Sequence, residues 1–233
     1  MAKKTVDAQS FVSGPLQLPK VTQEMWNCPY STDIFAKFAE DFSDIENAPS
    51  LLMLSEVASS LGVTIVGGSI PEKDIHLFDM GKPLPGEVQF KESDHILAGE
   101  KPTVVDTGFG RIGIGICHDI RFPELAMSYS ARGAHLICYP GAFNMSTGVA
   151  LWELEQRTRA IDNQLYVASC SPSRDSSSSY MIWGHSTVVG PMGEIIATTG
   201  HEEAVLIAEI DYESQRRNNI YQFVDLLRKS LNS

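Results

Sequence analysis

From Pro102 onward the sequence alternates between two rhythms, and this alternation restricts the fold more than any other feature. TVVDT, RIGIGIC, HLICYP and LYVASCS are short β-branched or apolar runs that read as strands. Between them, residues 122–132 (FPELAMSYSAR) and 150–162 read as helices, the second with Leu151, Leu154, Thr158 and Ile161 in step. Strands separated by helices run parallel, because the helix carries the chain back across the sheet. Residues 185–198 depart from the rhythm and read as a hairpin around Pro191, Met192, Gly193 and Glu194. AVLIAEI reads as a last strand and residues 213–230 as a terminal helix. The expected architecture is α/β, a mixed sheet with helices packed outside.

Upstream, SLLMLSEVASSL predicts a helix over Ser50–Leu61, with Leu51, Leu54, Ala58 and Leu61 on one face. Ser50 is the expected N-cap and Gly62 the left-handed residue past the end. VTIVGG follows as a buried strand. Residues 71–101 read as a long irregular excursion and residues 1–25 mostly as loop. We expect a single domain over 1–233, with an irregular segment over 1–20 and a tail over 213–233. Arg157 and Arg159 are expected on a solvated or ion-paired helix face, and Trp152 and Trp183 in packing.

The formal net charge of -11 argues against general nucleic-acid binding and against anionic membrane surfaces. No apolar stretch approaches the roughly 20 residues needed to cross a bilayer. MAKKTVDAQSF lacks the apolar core of a secretory signal. Cys28, Cys117, Cys138 and Cys170 are far apart and form no CxxC. A reducing intracellular compartment is expected, the cytoplasm first and an organelle second.

Cys117 has two readings. Free cysteine is one of the most buried residue types, and Cys138 and Cys170 fit that role. Cys117 differs because the strand ends at it and Asp119 and Arg121 follow directly. Sites in open α/β sheets lie beyond the C-terminal ends of strands. The helix starting a few residues later offers an N-terminal field that favours a thiolate. His118 is adjacent but serves poorly as a base unless the backbone turns sharply at Cys117. A carboxylate from elsewhere and a nearby lysine would complete the chemistry.

GRIGIGICHDIRFPELA, ARGAHLICYPGAFN, WELEQRTRAIDNQLYVASCSPSRD and WGHSTVVGPMGEIIA together resemble the carbon–nitrogen hydrolase (nitrilase) superfamily, and within it the omega-amidase branch. The resemblance runs over about 21–212 and is dense from 88 to 212. It implies an αββα sandwich, usually dimerised, and a Glu-Lys-Cys triad acting through a thioester without metal or organic cofactor. It implies as substrate a small-molecule amide, a 2-oxo dicarboxylate monoamide such as 2-oxoglutaramate or 2-oxosuccinamate. Residue by residue, Cys117 matches the nucleophile, Glu24 the general base and Glu92 a second glutamate that positions the triad. The resemblance implies that the backbone N–H of His118 shares the oxyanion hole with the lysine. Tyr30 and Phe143 fall in segments that line the pocket.

The sequence departs from this pattern at the lysine. Residues 70–79 read IPEKDIHLFD, so Asp74 stands immediately before Ile75 and Lys73 falls one place early. Lys82 and Lys91 are the fallback candidates. One strand pair near this point and a strand-helix unit before Glu24 are expected to be missing from the sandwich. Two rival readings follow: a catalytically silent binding or scaffold protein, or a glutaminase-type amidotransferase with a Cys117–His201–Glu203 set. His201 is expected in an exposed turn, against the second.

Overall fold

The computed structural model describes residues 20–71 and 101–212, except for residues 31, 43, 109 and 179. Two short strands, β1 (Lys20–Val21) and β2 (Ile65–Val66), pair in parallel, with helices α1 (Thr32–Phe38) and α2 (Pro49–Leu61) between them. The dense part of the chain then forms β3 (Thr103–Thr107), β4 (Gly110–Ile114), helix α3 (Pro123–Ala131), β5 (Leu136–Pro140), a helical stretch, β6 (Tyr166–Cys170), β7 (Thr187–Val189) and β8 (Ile195–Thr198). The helical stretch comprises α4 (Met145–Thr147), a π turn (Gly148–Trp152) and α5 (Glu153–Asn163).

Strands β3 to β8 make one six-stranded sheet in sequence order. The central pairs β4–β5 and β5–β6 are parallel, and the pairs β3–β4, β6–β7 and β7–β8 are antiparallel. The two parallel pairs fall where helices cross over, as the alternating rhythm predicts. The hairpin appears as β7 and β8.

The period of two in the central strands divides the core into two layers. Ile137, Tyr139 and Val167 point to one side and pack with Ala126, Tyr129, Trp152 and Ala160 from the helices. Leu136, Cys138, Tyr166 and Ala168 point to the other side and meet Val21 and Val66 from the small sheet. Leu54 of α2 packs against Gly67, which directly follows β2. The layers therefore run helix, small sheet, large sheet, helix. Buried on both faces, β5 carries an unbroken apolar run, LICYP, as parallel central strands do.

Four sequence expectations change. Strand β4 stops at Ile114, three residues before Cys117. Residues 204–210 form no strand; Val205 and Ile207 stand 64% and 63% exposed, and the segment returns to the core only at Ile210 and Tyr212. Alternating apolar residues suggest a strand, but the outer edge of β8 is left without a partner strand among the described residues. Ser50 lies inside α2, and the cap comes from the Glu40 carboxylate, which accepts from the Ser50 backbone N–H at 3.0 Å. Helix α5 presents the opposite face to that expected: Leu154 and Ile161 are exposed, while Gln156, Arg159, Ala160 and Asn163 are buried. Its inner polar groups are tied locally, with Gln156 donating to the Trp152 carbonyl and Asn163 to the Arg159 carbonyl. The terminal helix expected over 213–230 lies outside the described residues.

Ile137 is fully buried in the middle strand. Ile137→Ala should lower the unfolding free energy by about 2–5 kcal/mol in urea titrations. A loss below about 1 kcal/mol would contradict the two-sided burial of β5.

Candidate active site

The chain leaves the sheet after Ile114, passes Gly115 and Ile116, and enters a 3₁₀ turn over Cys117–Arg121. Cys117 heads this turn with φ at 46°, in the left-handed region that a non-glycine residue occupies at a cost of about 1–3 kcal/mol. The backbone does turn sharply at the cysteine, so the strand rule that sends neighbours to opposite faces no longer governs His118.

Close contacts on every side hold the turn. The Gly115 N–H donates to the Cys138 carbonyl at 3.0 Å, which extends the sheet contact one step beyond β4. The Asp119 carboxylate accepts from the Ile116 N–H at 2.8 Å, and the Asp119 N–H donates to the Ile116 carbonyl at 2.9 Å. The Tyr129 hydroxyl donates to the Ile114 carbonyl. From α5, Arg159 donates to the carbonyls of Ile120 and Arg121 at 2.7 and 3.0 Å. Two glycines sit in close approaches: a Cβ at position 115 would lie 2.5 Å from the Tyr139 ring, which excludes a side chain there, and one at 141 would lie 3.3 Å from the Cys117 Cα, a tight fit.

Glu24 follows the end of β1 and is only 3% exposed. The Tyr30 hydroxyl donates to its Oε1 at 3.3 Å. Tyr30 stacks on Tyr180 with ring centroids 4.8 Å apart, and the Tyr180 hydroxyl donates to the Ala142 carbonyl at 2.8 Å. This aromatic pair links the Glu24 segment to the end of β5, where Gly141 touches Cys117. Phe143 is buried edge-on against Trp152, and the Arg121 guanidinium lies 5.8 Å from its ring centroid. Cys117 packs against the same cluster as Phe143.

The structure thus gathers Cys117, His118 and Phe143 around the end of β5, with Glu24 and Tyr30 connected to them through Tyr180. Lys73, Lys82, Lys91, Asp74 and Glu92 lie outside the described residues. His201 occupies an exposed turn, 3.0 Å from Glu202, as expected. Burial pushes the thiols of Cys28, Cys138 and Cys170 up to about 11, 12 and 11, so all three are neutral packing groups at physiological pH.

Three contributors escape sequence reading. Tyr180 sits in the loop after the serine run, with no local signal. Arg159 was expected on a solvated or ion-paired face and is instead 8% exposed and turned inward onto backbone carbonyls. Glu155, one turn before it, places Oε1 3.8 Å from Arg121 Nε. Burial raises the Glu155 carboxyl above the ordinary glutamate value, against the opposing pull of Arg121 and Arg159. Burial likewise raises Asp119, opposed by its bond from Ile116. A half-buried cysteine at a strained turn, with a buried carboxylate connected to its neighbourhood, is suited to covalent nucleophilic catalysis.

Residues 73–217 match the family model described as carbon–nitrogen hydrolase. The chain is 51% identical to the chloroplastic omega-amidase of Arabidopsis thaliana, over 97% of this chain and 70% of that one. That alignment spans 263 positions against a chain of 233 residues, so at least 30 positions are opposite gaps in this chain. It is 44% identical to the omega-amidase NIT2 of Homo sapiens, over 81% of this chain and 74% of that one. Among solved structures, Saccharomyces cerevisiae Nit3, described as a member of branch 10 of the nitrilase superfamily, superposes with a TM-score of 0.76 at 38% identity, covering 88% of this chain and 81% of the other.

The raised Glu155 carboxyl has a definite pH signature. The folded state holds this proton more tightly than the unfolded state, so the contribution favours folding at low pH and is lost as pH rises from 4.5 through the raised native value. Glu155→Gln removes the titration. Its stability relative to the wild type should therefore increase with pH across that window, as read by urea midpoints. A relative decrease would mean that the two arginines outweigh burial.

Proposed function

The chain belongs to the carbon–nitrogen hydrolase family, and on that premise we propose that it is a cysteine amidase of the omega-amidase type. It hydrolyses the terminal amide of short 2-oxo dicarboxylate monoamides, 2-oxoglutaramate and 2-oxosuccinamate, and releases ammonia. The observation that carries this reading is Cys117 at the head of a strained turn beyond a central parallel strand. The names of the similar omega-amidases support the substrate class.

In this reading Glu24 accepts the Cys117 proton and the thiolate attacks the amide carbon. The carbonyl electron pair moves to oxygen, where the His118 N–H and Lys73 stabilise it. The C–N bond breaks as the carbonyl reforms, Glu24 returns its proton to nitrogen, and ammonia leaves. Water, deprotonated by Glu24, then attacks the thioester and frees the acid and the thiol. Glu92 positions the triad, and Tyr30 and Phe143 contact the substrate. No metal or organic cofactor takes part. The rival is a catalytically silent binding protein, favoured by Asp74 standing where the lysine is expected.

We also propose that the protein is a homodimer. The outer side of the helical stretch supports this: Val149, Leu154 and Ile161 are 66%, 60% and 44% exposed. Among the described residues no helix is long and apolar enough to cross a membrane. The proposed setting is the cytoplasm or a reducing organelle.

Purified protein should release ammonia from 2-oxoglutaramate. Cys117→Ser should lower kcat by about 10³-fold or more, and Lys73→Ala by about 10²–10³-fold. Activity surviving in Cys117→Ser would exclude the thioester route, and an inactive wild type would favour the silent protein. Light scattering should give a mass twice that of one chain, falling to one chain's mass in Leu154→Glu/Ile161→Glu. A monomeric wild type would overturn the dimer.

A further inference from the structure

Helix α5 reaches the turn that carries Cys117 through two side chains, Glu155 and Arg159, of which Arg159 binds its backbone. Arg159 is buried, and its guanidinium donates from Nε to the Ile120 carbonyl and from Nη2 to the Arg121 carbonyl. These are the last two carbonyls of the turn. Carbonyls at a helical C-terminus have no acceptor role inside the helix, and burial makes an unmet one costly. A planar guanidinium can serve both at once in a fixed geometry, which a lysine ammonium cannot match.

The opposite end of the turn is tied by Asp119 to Ile116. Between the two ties stand Cys117, at φ 46°, and His118. A left-handed residue persists only where its surroundings over-determine it. Asp119 fixes the turn from within, whereas Arg159 binds its last carbonyls from a different element. It therefore refers the position of the cysteine to the helix layer and not to the local loop.

We propose that Arg159 is a positioning residue for Cys117: by holding the carbonyls of Ile120 and Arg121 it fixes the strained turn in the conformation that aims the thiol and the His118 N–H. Arg159 touches no reacting atom and acts through the turn. Glu155 lies on the same helix face and its carboxylate faces Arg121, so the end of the turn meets one buried carboxyl and one buried guanidinium. This inference rests on the reading of Cys117 as the nucleophile.

The test compares Arg159→Lys, Arg159→Met and, as a surface control on the same helix, Arg157→Met. Arg157 lies partly exposed, donating to the Gly193 carbonyl and pairing with Glu153. Each variant is assayed below its own melting midpoint, for kcat and KM and for the rate at which iodoacetamide alkylates Cys117, read by mass spectrometry. Arg159→Met should lower kcat per folded molecule by about 10–100-fold with KM within about threefold, since misplacement by an ångström costs on that order. Arg159→Lys should recover part of the loss, and Arg157→Met should match the wild type. The alkylation rate at Cys117 should change in Arg159→Met and not in Arg157→Met. If Arg159→Lys and Arg159→Met melt lower but keep kcat within twofold, the arginine only stabilises the fold and the proposal fails. Should Arg159→Met not fold, Arg159→Lys decides by the same criterion. Failure of the nucleophile reading is seen separately, as full activity in Cys117→Ser.

Discussion

A peptide group that leaves a sheet in the interior of a protein must find another partner, and much of the site follows from that requirement at the end of β4. Pairing with β5 covers the strand as far as Ile114, and the Gly115 N–H still reaches Cys138. Beyond that the chain bends away while remaining partly covered, with Ile120 buried. Tyr129 meets the Ile114 carbonyl, Asp119 meets the Ile116 N–H, and Arg159 meets the Ile120 and Arg121 carbonyls. Each comes from a different direction: helix α3, the turn itself and helix α5. The conformation of Cys117 is the joint solution of these demands, and no single bond imposes it.

The same demand accounts for one inward polar residue of the helix layer, Arg159. Gln156, Arg159 and Asn163 occupy positions where an amphipathic helix ordinarily places leucine. Arg159 is inward because the Ile120 and Arg121 carbonyls wait there, while Gln156 and Asn163 bond to carbonyls of their own helical stretch. The apolar face of α5 is consequently turned outward, and the acceptable cost of that exposure is set by whatever surface covers it.

The alternation of strands and helices was legible because burial on both faces demands apolar runs such as LICYP, and because crossovers force parallel order. That the chain leaves the sheet near Cys117 was legible from the polar residues that follow it, although the strand stops three residues sooner. The inner face of α5 was not, since periodicity marks an apolar stripe without saying which way it points, and here Leu154 and Ile161 made the more conspicuous one. Strand AVLIAEI was misread because alternation describes a residue's own preference and pairing requires a neighbour. Tyr180 and Arg159 were invisible for a related reason: what they do depends on carbonyls of Ala142, Ile120 and Arg121, distant in sequence, whose needs exist only once the chain is folded. Glu24 and Tyr30 were reached through resemblance, and the structure adds the bond between them.

The π turn over Gly148–Trp152 gives the helix layer a property of a different kind. Asn144 fixes the start of the helical stretch, its side chain accepting from the Thr147 N–H, and the wider turn then sets the rotational phase of everything downstream. Each residue advances an α-helix by about 100°. Removing one residue from this turn would leave composition almost untouched and yet swing Trp152 out of the core and Arg159 away from its carbonyls. Length in this segment carries information that composition does not: a one-residue deletion would reach the Cys117 turn as a change of angle.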